Sequence, residues 1–215
     1  MQNKPGYIAI EGPIGAGKTS LARRLAETFE SDLLLEGASE NPFLKDFYTD
    51  PRNAALPTQL FFLFQRAQQI RELQQSDLFS PVRIADFLFD KDRLFAELTL
   101  TEHELDLYSK VYESLSIEVP VPDLVIYLQA PVEVLMDRIA RRGIGFEQSM
   151  GPAYLGRLAE AYTRFFHGYN QSALLIVNAR HIDWVHNDDD YELLVNKITS
   201  ITHGRHFFNP GVAAF

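Results

Sequence analysis

One segment restricts the fold of this chain more than any other, since it fits the pattern GxxxxGK[ST] in full: Gly12-Pro13-Ile14-Gly15-Ala16-Gly17-Lys18-Thr19. It follows the apolar run at 7–10 and leads into a helix-like segment. Its glycines let the backbone turn with the N–H groups pointing inward, where the oxygens of a polyphosphate can accept hydrogen bonds. A glycine-rich turn between a strand and a helix is the alternative. The full match in that setting favours a nucleotide phosphate site.

The motif assigns roles to side chains as well as to the backbone. Lys18 brings a mobile positive charge to the outer phosphates, and the hydroxyl of Thr19 can bind Mg²⁺. We expect the phosphate site to consist of consecutive residues: Gly12, Pro13, Ile14, Gly15, Ala16, Gly17, Lys18, Thr19 and Ser20. The motif indicates that a nucleoside triphosphate binds, but it does not indicate what is done with it.

The composition predicts one domain, residues 1–215, that binds neither nucleic acid nor membranes. The chain is 46% hydrophobic, which provides one buried core without sign of a second. Its formal net charge of −9 would repel a nucleic-acid backbone, so small nucleotides are the expected ligands. There is no cysteine, which excludes disulfides and a thiol nucleophile. Residues 1–11 lack a signal-peptide pattern, and apolar stretches such as 60–64 are far shorter than a membrane span, so we expect a cytoplasmic protein.

Short β-rich runs alternate with longer helical patterns, which is typical of an α/β fold: a doubly wound sheet of about five parallel strands with helices on both faces. The strands are predicted at 6–11, 32–36, 82–86, 123–128 and 173–178. The first helix should begin at the phosphate loop and end near Phe29. A later helical pattern predicts one core-packed face, made of Leu60, Leu63, Phe64, Ala67 and Ile70.

The sequence resembles the deoxynucleoside kinase family over nearly its whole length, and within it the bacterial deoxyadenosine/deoxyguanosine kinases. The matching stretches, besides the phosphate loop, are 36–43, 47–48, 59–66, 86–93 and 138–147. The resemblance implies a P-loop kinase that uses Mg²⁺ and transfers the γ-phosphoryl group of ATP to the 5′-hydroxyl of a deoxynucleoside, with a purine preferred. It also implies a homodimer built through a helix pair.

Glu36 is the expected catalytic base. It ends the second predicted strand, and open α/β sheets bind ligands at the carboxyl edge of their strands. In the family, the matching glutamate takes the proton of the 5′-hydroxyl. Because phosphoryl transfer has a loose transition state, its main role would be to orient that hydroxyl. A solvated acid at a strand end is the alternative. Glu40 is a weaker choice, because Glu-Asn-Pro-Phe also forms an ordinary helix start.

Gln59 and Arg66 are expected to bind the base. They are seven residues apart, which places them on one helix face about 10.5 Å apart along the axis. A glutamine amide offers a donor and an acceptor side by side, as a purine edge requires. Spacing alone leaves a solvated helix face equally open. By resemblance Gln59 reads the base, Arg66 pairs with Asp92 at its far side, and the sugar 3′-hydroxyl contacts Tyr48 and Glu147.

The phenylalanines Phe62, Phe87 and Phe89 could pack against the base, although the core is the commoner place for any one of them. Asp86 closes the third predicted strand and is placed to hold Mg²⁺ through water beside Thr19.

Residues 138–152 resemble the family's lid over the ATP phosphates. Arg138 and Arg142 match its catalytic arginines, whose fork-shaped groups stabilise spreading negative charge. The alternative is that these arginines only form a charged helix end, where the helix dipole favours positive side chains.

Two positions depart from the family pattern. The acid-arginine-serine triplet after the third strand is here Asp86-Phe87-Leu88, and Ile144 stands where the lid usually has arginine. Arg93 or Arg141 could substitute for the missing arginine near the transferred phosphate.

Two other functions stay open: a nucleoside monophosphate kinase like thymidylate kinase, and a nucleotide-binding interaction protein without catalysis. A regulatory GTPase is disfavoured, since no Asn-Lys-x-Asp motif follows a strand.

Overall fold

A single parallel sheet organises the computed structural model, which describes residues 6–75, 83–116 and 118–210. The strand order is β2-β3-β1-β4-β5-β6, and every neighbouring pair is parallel. The strands are β1 Tyr7–Glu11, β2 Asp32–Leu34, β3 Arg83–Ala85, β4 Leu124–Gln129, β5 Ala173–Asn178 and β6 Arg205–Phe208.

Helices cover both sides of the sheet. The α-helices of the described residues are α1 Lys18–Phe29, α2 Leu44–Thr49, α3 Pro51–Gln75, α4 Lys91–Thr99, α5 Glu102–Ser114, α6 Val132–Arg142, α7 Pro152–Gly168 and α8 Asp188–Thr199. Two short 3-10 helices span Ala38–Glu40 and Glu147–Ser149. None of the described helices is both long and apolar enough to cross a membrane.

The register of the central strands aligns the segments that follow them. Ile8 in β1 pairs with Ile84 in β3 on one side and with Leu124 in β4 on the other. All three are almost fully buried, as expected for strands that helices cover on both faces. Because parallel strands end at the same edge, the residues after β1, β2 and β3 meet there, and this edge carries the site.

The α/β prediction is confirmed, and the structure adds a sixth strand. β6 lies within the tail 203–215, where no strand was predicted, and it pairs with β5 at the edge of the sheet. Residues 211–215 of that tail lie outside the described residues, as does Val82 of the predicted strand 82–86. The other four predicted strands are present, with ends shifted by up to two residues.

The core corrects one expectation about apolar side chains. Leu63, Ala67 and Ile70 are buried, but Phe64 of the same predicted face is 51% exposed. Phe87 and Phe89 are fully or almost fully buried in the protein interior and do not line the cavity described below. Of the two places open to them, they therefore take the commoner one, the core.

Candidate active site

The phosphate loop joins β1 to α1 and has the backbone geometry of an anion cradle. Gly15 and Gly17 have φ of +84° and +95°, a left-handed region that favours glycine. A Cβ on Gly15 would lie 2.7 Å from the carbonyl oxygen of Leu135, and one on Gly17 2.8 Å from the ring of Trp184. No side chain caps the first turn of α1, and that turn contains no acidic residue. The N–H groups of this helix end and its positive dipole therefore suit a phosphate.

Lys18 lies across the loop. Its Nζ donates to the carbonyl oxygens of Gly12, at 2.9 Å, and Pro13, at 3.3 Å. Burial, together with the charges of Lys91 and Arg142, lowers the pKa of Lys18 to about 8. The lysine is thus held over the loop with little stabilisation of its charge, which an anion would supply.

One carboxylate connects the phosphate loop to the end of β2. Asp86, directly after β3, accepts a hydrogen bond from the Thr19 hydroxyl on Oδ2, at 2.5 Å, and from the backbone N–H of Glu36 on Oδ1, at 2.7 Å. Asp86 is buried. The side chains expected to hold a metal are therefore in contact, and one of them also holds the backbone of Glu36.

Thr19 and Asp86 fit Mg²⁺ in their chemistry. Both offer hard oxygen atoms, which Mg²⁺ prefers, and both lie beside a loop suited to phosphate. In the described ranges no group of three or more His, Asp or Glu residues could hold a metal ion. Such a pair suits a cation that takes its remaining ligands from phosphate and water, as Mg²⁺ does.

Glu36 is surrounded by positive charge. Its Oε1 pairs with Nη2 of Arg66, from α3, and its Oε2 lies 3.0 Å from Nζ of Lys91, from α4. Arg66 also pairs through Nη1 with Asp92, and Arg66, Lys91 and Asp92 are all at most 3% exposed. Burial lowers the pKa of Arg66 to about 10 and that of Lys91 to about 8, so both retain their charge near neutral pH.

The part of the site expected to bind the base is a face of α3. Gln59, Phe62 and Arg66 recur at helical spacing and all line one cavity. The Arg66 guanidinium lies 5.0 Å from the centre of the Phe62 ring. Its Nε is buried without a hydrogen-bond partner among the described residues. A polar ligand atom would relieve the cost of that orphaned donor.

The part of the site expected to bind the sugar is built by α2 and the 3-10 helix after α6. Tyr48 stacks on Phe146, with ring centres 6.0 Å apart and planes 9° apart. Burial raises the pKa of Tyr48 well above its ordinary value, so its hydroxyl remains a donor. Glu147 is buried and pairs with Arg142 at the end of α6, through both Nε and Nη2. An acid and a phenol thus share this end of the cavity, as a hydroxyl ligand would require.

The two arginines expected in the lid hold different partners. Arg138 donates to the carbonyl oxygen of Ala16 in the phosphate loop, at 3.3 Å, and to that of Ala179 after β5, at 2.7 Å. Its guanidinium also lies 5.8 Å from the Trp184 ring. Arg142 instead pairs with Glu147, at the part of the cavity expected to bind the sugar. The first arginine therefore contacts the phosphate loop, whereas the second contacts Glu147.

One cavity of about 720 Å³ brings most of these residues together. Its lining contains nearly every expected side chain: Lys18, Thr19, Ser20, Glu36, Tyr48, Gln59, Arg66, Asp86, Arg138, Arg142 and Glu147. Ile14, Gly15 and Gly17 of the loop also line it, whereas Gly12, Pro13 and Ala16 do not. Asp92 is outside the lining and acts on it through Arg66. Glu40 is exposed, accepts a hydrogen bond from Gln65 and is also outside it.

Both suggested substitute arginines are paired with nearby acids on their own helices. Arg93 pairs with Glu97 on the surface, and its side chain is 76% exposed. Arg141 lines the cavity, but it pairs with Asp137 and is equally exposed. A lysine that sequence reasoning passed over, Lys91, contacts Glu36 instead. Its only signal was its place inside the stretch 86–93, which matched the family.

Glu11 is the other residue that sequence reasoning missed. It ends β1, directly before the phosphate loop, and is fully buried. Its carboxylate lies 3.2 Å from Nζ of Lys91. A charged residue that closes a buried strand was the available signal, the same one that identified Asp86.

The chain is similar to known proteins in sequence and in fold. A sequence model described as "Deoxynucleoside kinase" matches residues 8–203. A deoxyguanosine kinase from Bacillus subtilis (strain 168) is 34% identical over 207 residues, covering 93% of this chain and 99% of its own. A deoxyadenosine kinase from Lactobacillus acidophilus is 32% identical over 194 residues, covering 84% and 88%. A solved deoxyadenosine kinase from M. mycoides with bound dATP matches with a TM-score of 0.78 and 25% identity, over 91% of this chain and 100% of that one.

Proposed function

This chain belongs to the deoxynucleoside kinase family, and we propose that it transfers the γ-phosphoryl group of ATP to the 5′-hydroxyl of deoxyguanosine or deoxyadenosine. The names of its relatives support a purine acceptor. The observation that carries the proposal is the single cavity that Lys18, Glu36 and Gln59 line together. A phosphate loop, an acid and a base-binding amide in one cavity suit a donor and an uncharged acceptor bound end to end.

The donor binds at the start of α1. The loop backbone and Lys18 hold the phosphates, and Arg138 and Arg142 stabilise the charge that spreads over the transferred group. Arg142 would leave its ion pair with Glu147 for this purpose, as part of a lid formed by residues 138–152. Thr19 and Asp86 would hold Mg²⁺, which when bound neutralises charge on the phosphates.

The acceptor binds between α2 and α3. Gln59 and the Arg66–Asp92 pair read the base, and the 3′-hydroxyl contacts Tyr48 and Glu147. This arrangement supports an uncharged sugar, because the acidic Glu147 lies on the acceptor's side. A monophosphate acceptor would need additional positive charge there.

Glu36 orients the 5′-hydroxyl toward the γ-phosphorus. In the reaction, the 5′-oxygen forms a bond to phosphorus, the bond from that phosphorus to the ADP oxygen breaks, and the hydroxyl proton passes to Glu36. The products are ADP and a deoxynucleoside 5′-monophosphate. Glu36 is supported in this role because it lines the cavity, and its backbone N–H is joined through Asp86 to Thr19.

The proposal is tested by the rate of ADP release with each acceptor in turn. We expect deoxyguanosine or deoxyadenosine to give the highest kcat/KM, and thymidine, deoxycytidine and the monophosphates to give lower values. A monophosphate as the best substrate would show that the acceptor side has been misassigned. Tight ATP binding without turnover of any deoxynucleoside would instead favour an interaction protein.

We also infer a homodimer, as the resemblance to the family implied. Phe64 in α3 and Leu107 in α5, two helices in contact, are 51% and 48% exposed, and these apolar side chains support a helix-to-helix interface. Light scattering should give twice the chain mass of 24.5 kDa. A mass of one chain at assay concentrations would contradict this inference.

A further inference from the structure

Lys91 is a buried charge that the proposed roles leave unused. It is the first residue of α4 and is 2% exposed. Its Nζ lies 3.0 Å from Oε2 of Glu36 and 3.2 Å from Oε1 of Glu11. A lysine is almost never buried so deeply unless it is paired, and this one is paired with two carboxylates from separate parts of the chain.

Glu11 is the fixed partner of the two. Its carboxylate accepts hydrogen bonds from the backbone N–H of Gly12, at 3.0 Å, and of Leu88, at 2.6 Å, and from the hydroxyl of Tyr162, at 2.9 Å. With Lys91 added, Glu11 has four donors and is fully buried. Backbone donors cannot rotate away, so Glu11 anchors the ammonium rigidly.

Glu36 is the freer partner. Its side chain is 16% exposed and lines the cavity, whereas Lys91 is outside the set of described residues that do. Arg66 occupies the other carboxylate oxygen of Glu36, but it is shared with Asp92 and is expected to bind the base. Lys91 is therefore the cation whose contact with Glu36 does not compete with acceptor binding.

The position of Lys91 also bears on a departure from the family pattern. Phe87 stands where the triplet has arginine and is fully buried, and Arg93 points to solvent. We propose that Lys91 is a positioning residue for the phosphoryl transfer: anchored on Glu11, its ammonium fixes Oε2 of Glu36 so that the carboxylate faces the acceptor hydroxyl. The chain thereby supplies from α4 a cation that Phe87 does not provide.

This inference rests on the proposed kinase activity, so the wild-type protein is assayed first with ATP and each deoxynucleoside. Absence of turnover there would refute the proposed function before Lys91 is altered. The test variant is Lys91→Met, which removes the charge and keeps the stem, and the matched control is Lys110→Met, whose lysine is exposed and pairs with Asp106. ATP affinity is followed by the fluorescence of Trp184, the one tryptophan of the sequence, which lines the cavity.

We expect Lys91→Met to lower kcat about a hundredfold or more while the Kd for ATP changes by less than about threefold. Because Lys91 acts through Glu36, Glu36→Gln and the double variant Glu36→Gln/Lys91→Met should have the same kcat within about threefold. A lysine that merely supports the fold would not give this non-additivity. An unchanged kcat in Lys91→Met, or a double variant whose losses multiply, would overturn the proposal.

Loss of the fold in Lys91→Met, visible by circular dichroism, would move the test to a second pair. Glu11→Gln/Lys91→Met leaves no unpaired charge between these two positions, and Glu11→Gln is its control. Because Glu11 anchors Lys91, Glu11→Gln should itself lower kcat, and the double variant should have a kcat about a hundredfold below that of the wild type. A folded double variant with the kcat of the wild type would refute the positioning role.

Discussion

Replacing Glu36 by glutamine tests the chemical centre of the site with little change in shape. The amide keeps the size of the carboxylate but cannot take a proton, and it removes the negative charge between Arg66 and Lys91. Each cation keeps a second partner: Arg66 pairs with Asp92, and Lys91 with Glu11. The fold should therefore survive, and the loss should fall on turnover.

The expected sizes follow from these contacts. General acid–base catalysis contributes about 10²- to 10⁴-fold, so kcat should fall by that factor. A hydrogen bond to a charged group is worth about 1.5–3 kcal/mol, and Glu36 makes two that are replaced only in part. A net loss of about 2 kcal/mol in unfolding free energy corresponds to about 4–8 °C in Tm for a protein of this size. The Kd for ATP should stay within about threefold, because Glu36 does not belong to the phosphate loop.

The assay is ADP release under saturating ATP and deoxynucleoside, with Tm and the Kd for ATP measured on the same preparations. Glu40→Gln is the matched control, since that carboxylate is nearby in sequence, exposed and outside the cavity lining. Its kcat should equal that of the wild type. If Glu36→Gln kept its kcat within about threefold, Glu36 would have no part in the proton transfer or in orienting the hydroxyl.

Three further substitutions test the remaining parts of the site. Gln59→Ala should raise the KM for the deoxynucleoside about tenfold and leave the KM for ATP unchanged; the reverse pattern in steady-state kinetics would assign Gln59 to the donor. Gly17→Ala should weaken ATP binding about tenfold or more, since a left-handed residue with a Cβ costs about 1–2 kcal/mol and this Cβ would lie 2.8 Å from Trp184; an unchanged Kd by fluorescence titration would contradict the cradle geometry. Asp86→Asn should raise the Mg²⁺ concentration for half-maximal rate about tenfold, and an unchanged Mg²⁺ titration would remove Asp86 from the metal site.

Local patterns were sufficient for most of the fold. The phosphate loop has a unique spacing, and the strands next to it are continuous apolar runs, so both could be predicted from neighbouring residues. β6 was missed because its polar start, Arg205 and His206, and its place at the sheet edge leave little apolar signal. Phe64 was wrongly predicted to be buried, because a helical period identifies the face that packs on the core but not how much of that face the neighbouring elements cover.

The site was predictable where a residue type and its position agreed. Glu36 and Asp86 stand out because each follows a strand, at the edge where such sheets bind ligands. Lys91 could not be found in this way, because a lysine at a helix start is normally solvated. What buries it is contact with Glu11 and Glu36, which other strands bring to the same place. Long-range pairing of this kind leaves no local signal in the sequence.

The two hydrogen bonds of Asp86 make the halves of the site interdependent. The same carboxylate accepts hydrogen bonds from the hydroxyl of Thr19 and the N–H of Glu36, so a donor complex that turns it would also move Glu36, the residue proposed to face the acceptor. By thermodynamic linkage, if the first substrate changes the affinity for the second by some factor, the second changes the affinity for the first by the same factor. Order of addition can then alter the path to the ternary complex, but not its final stability.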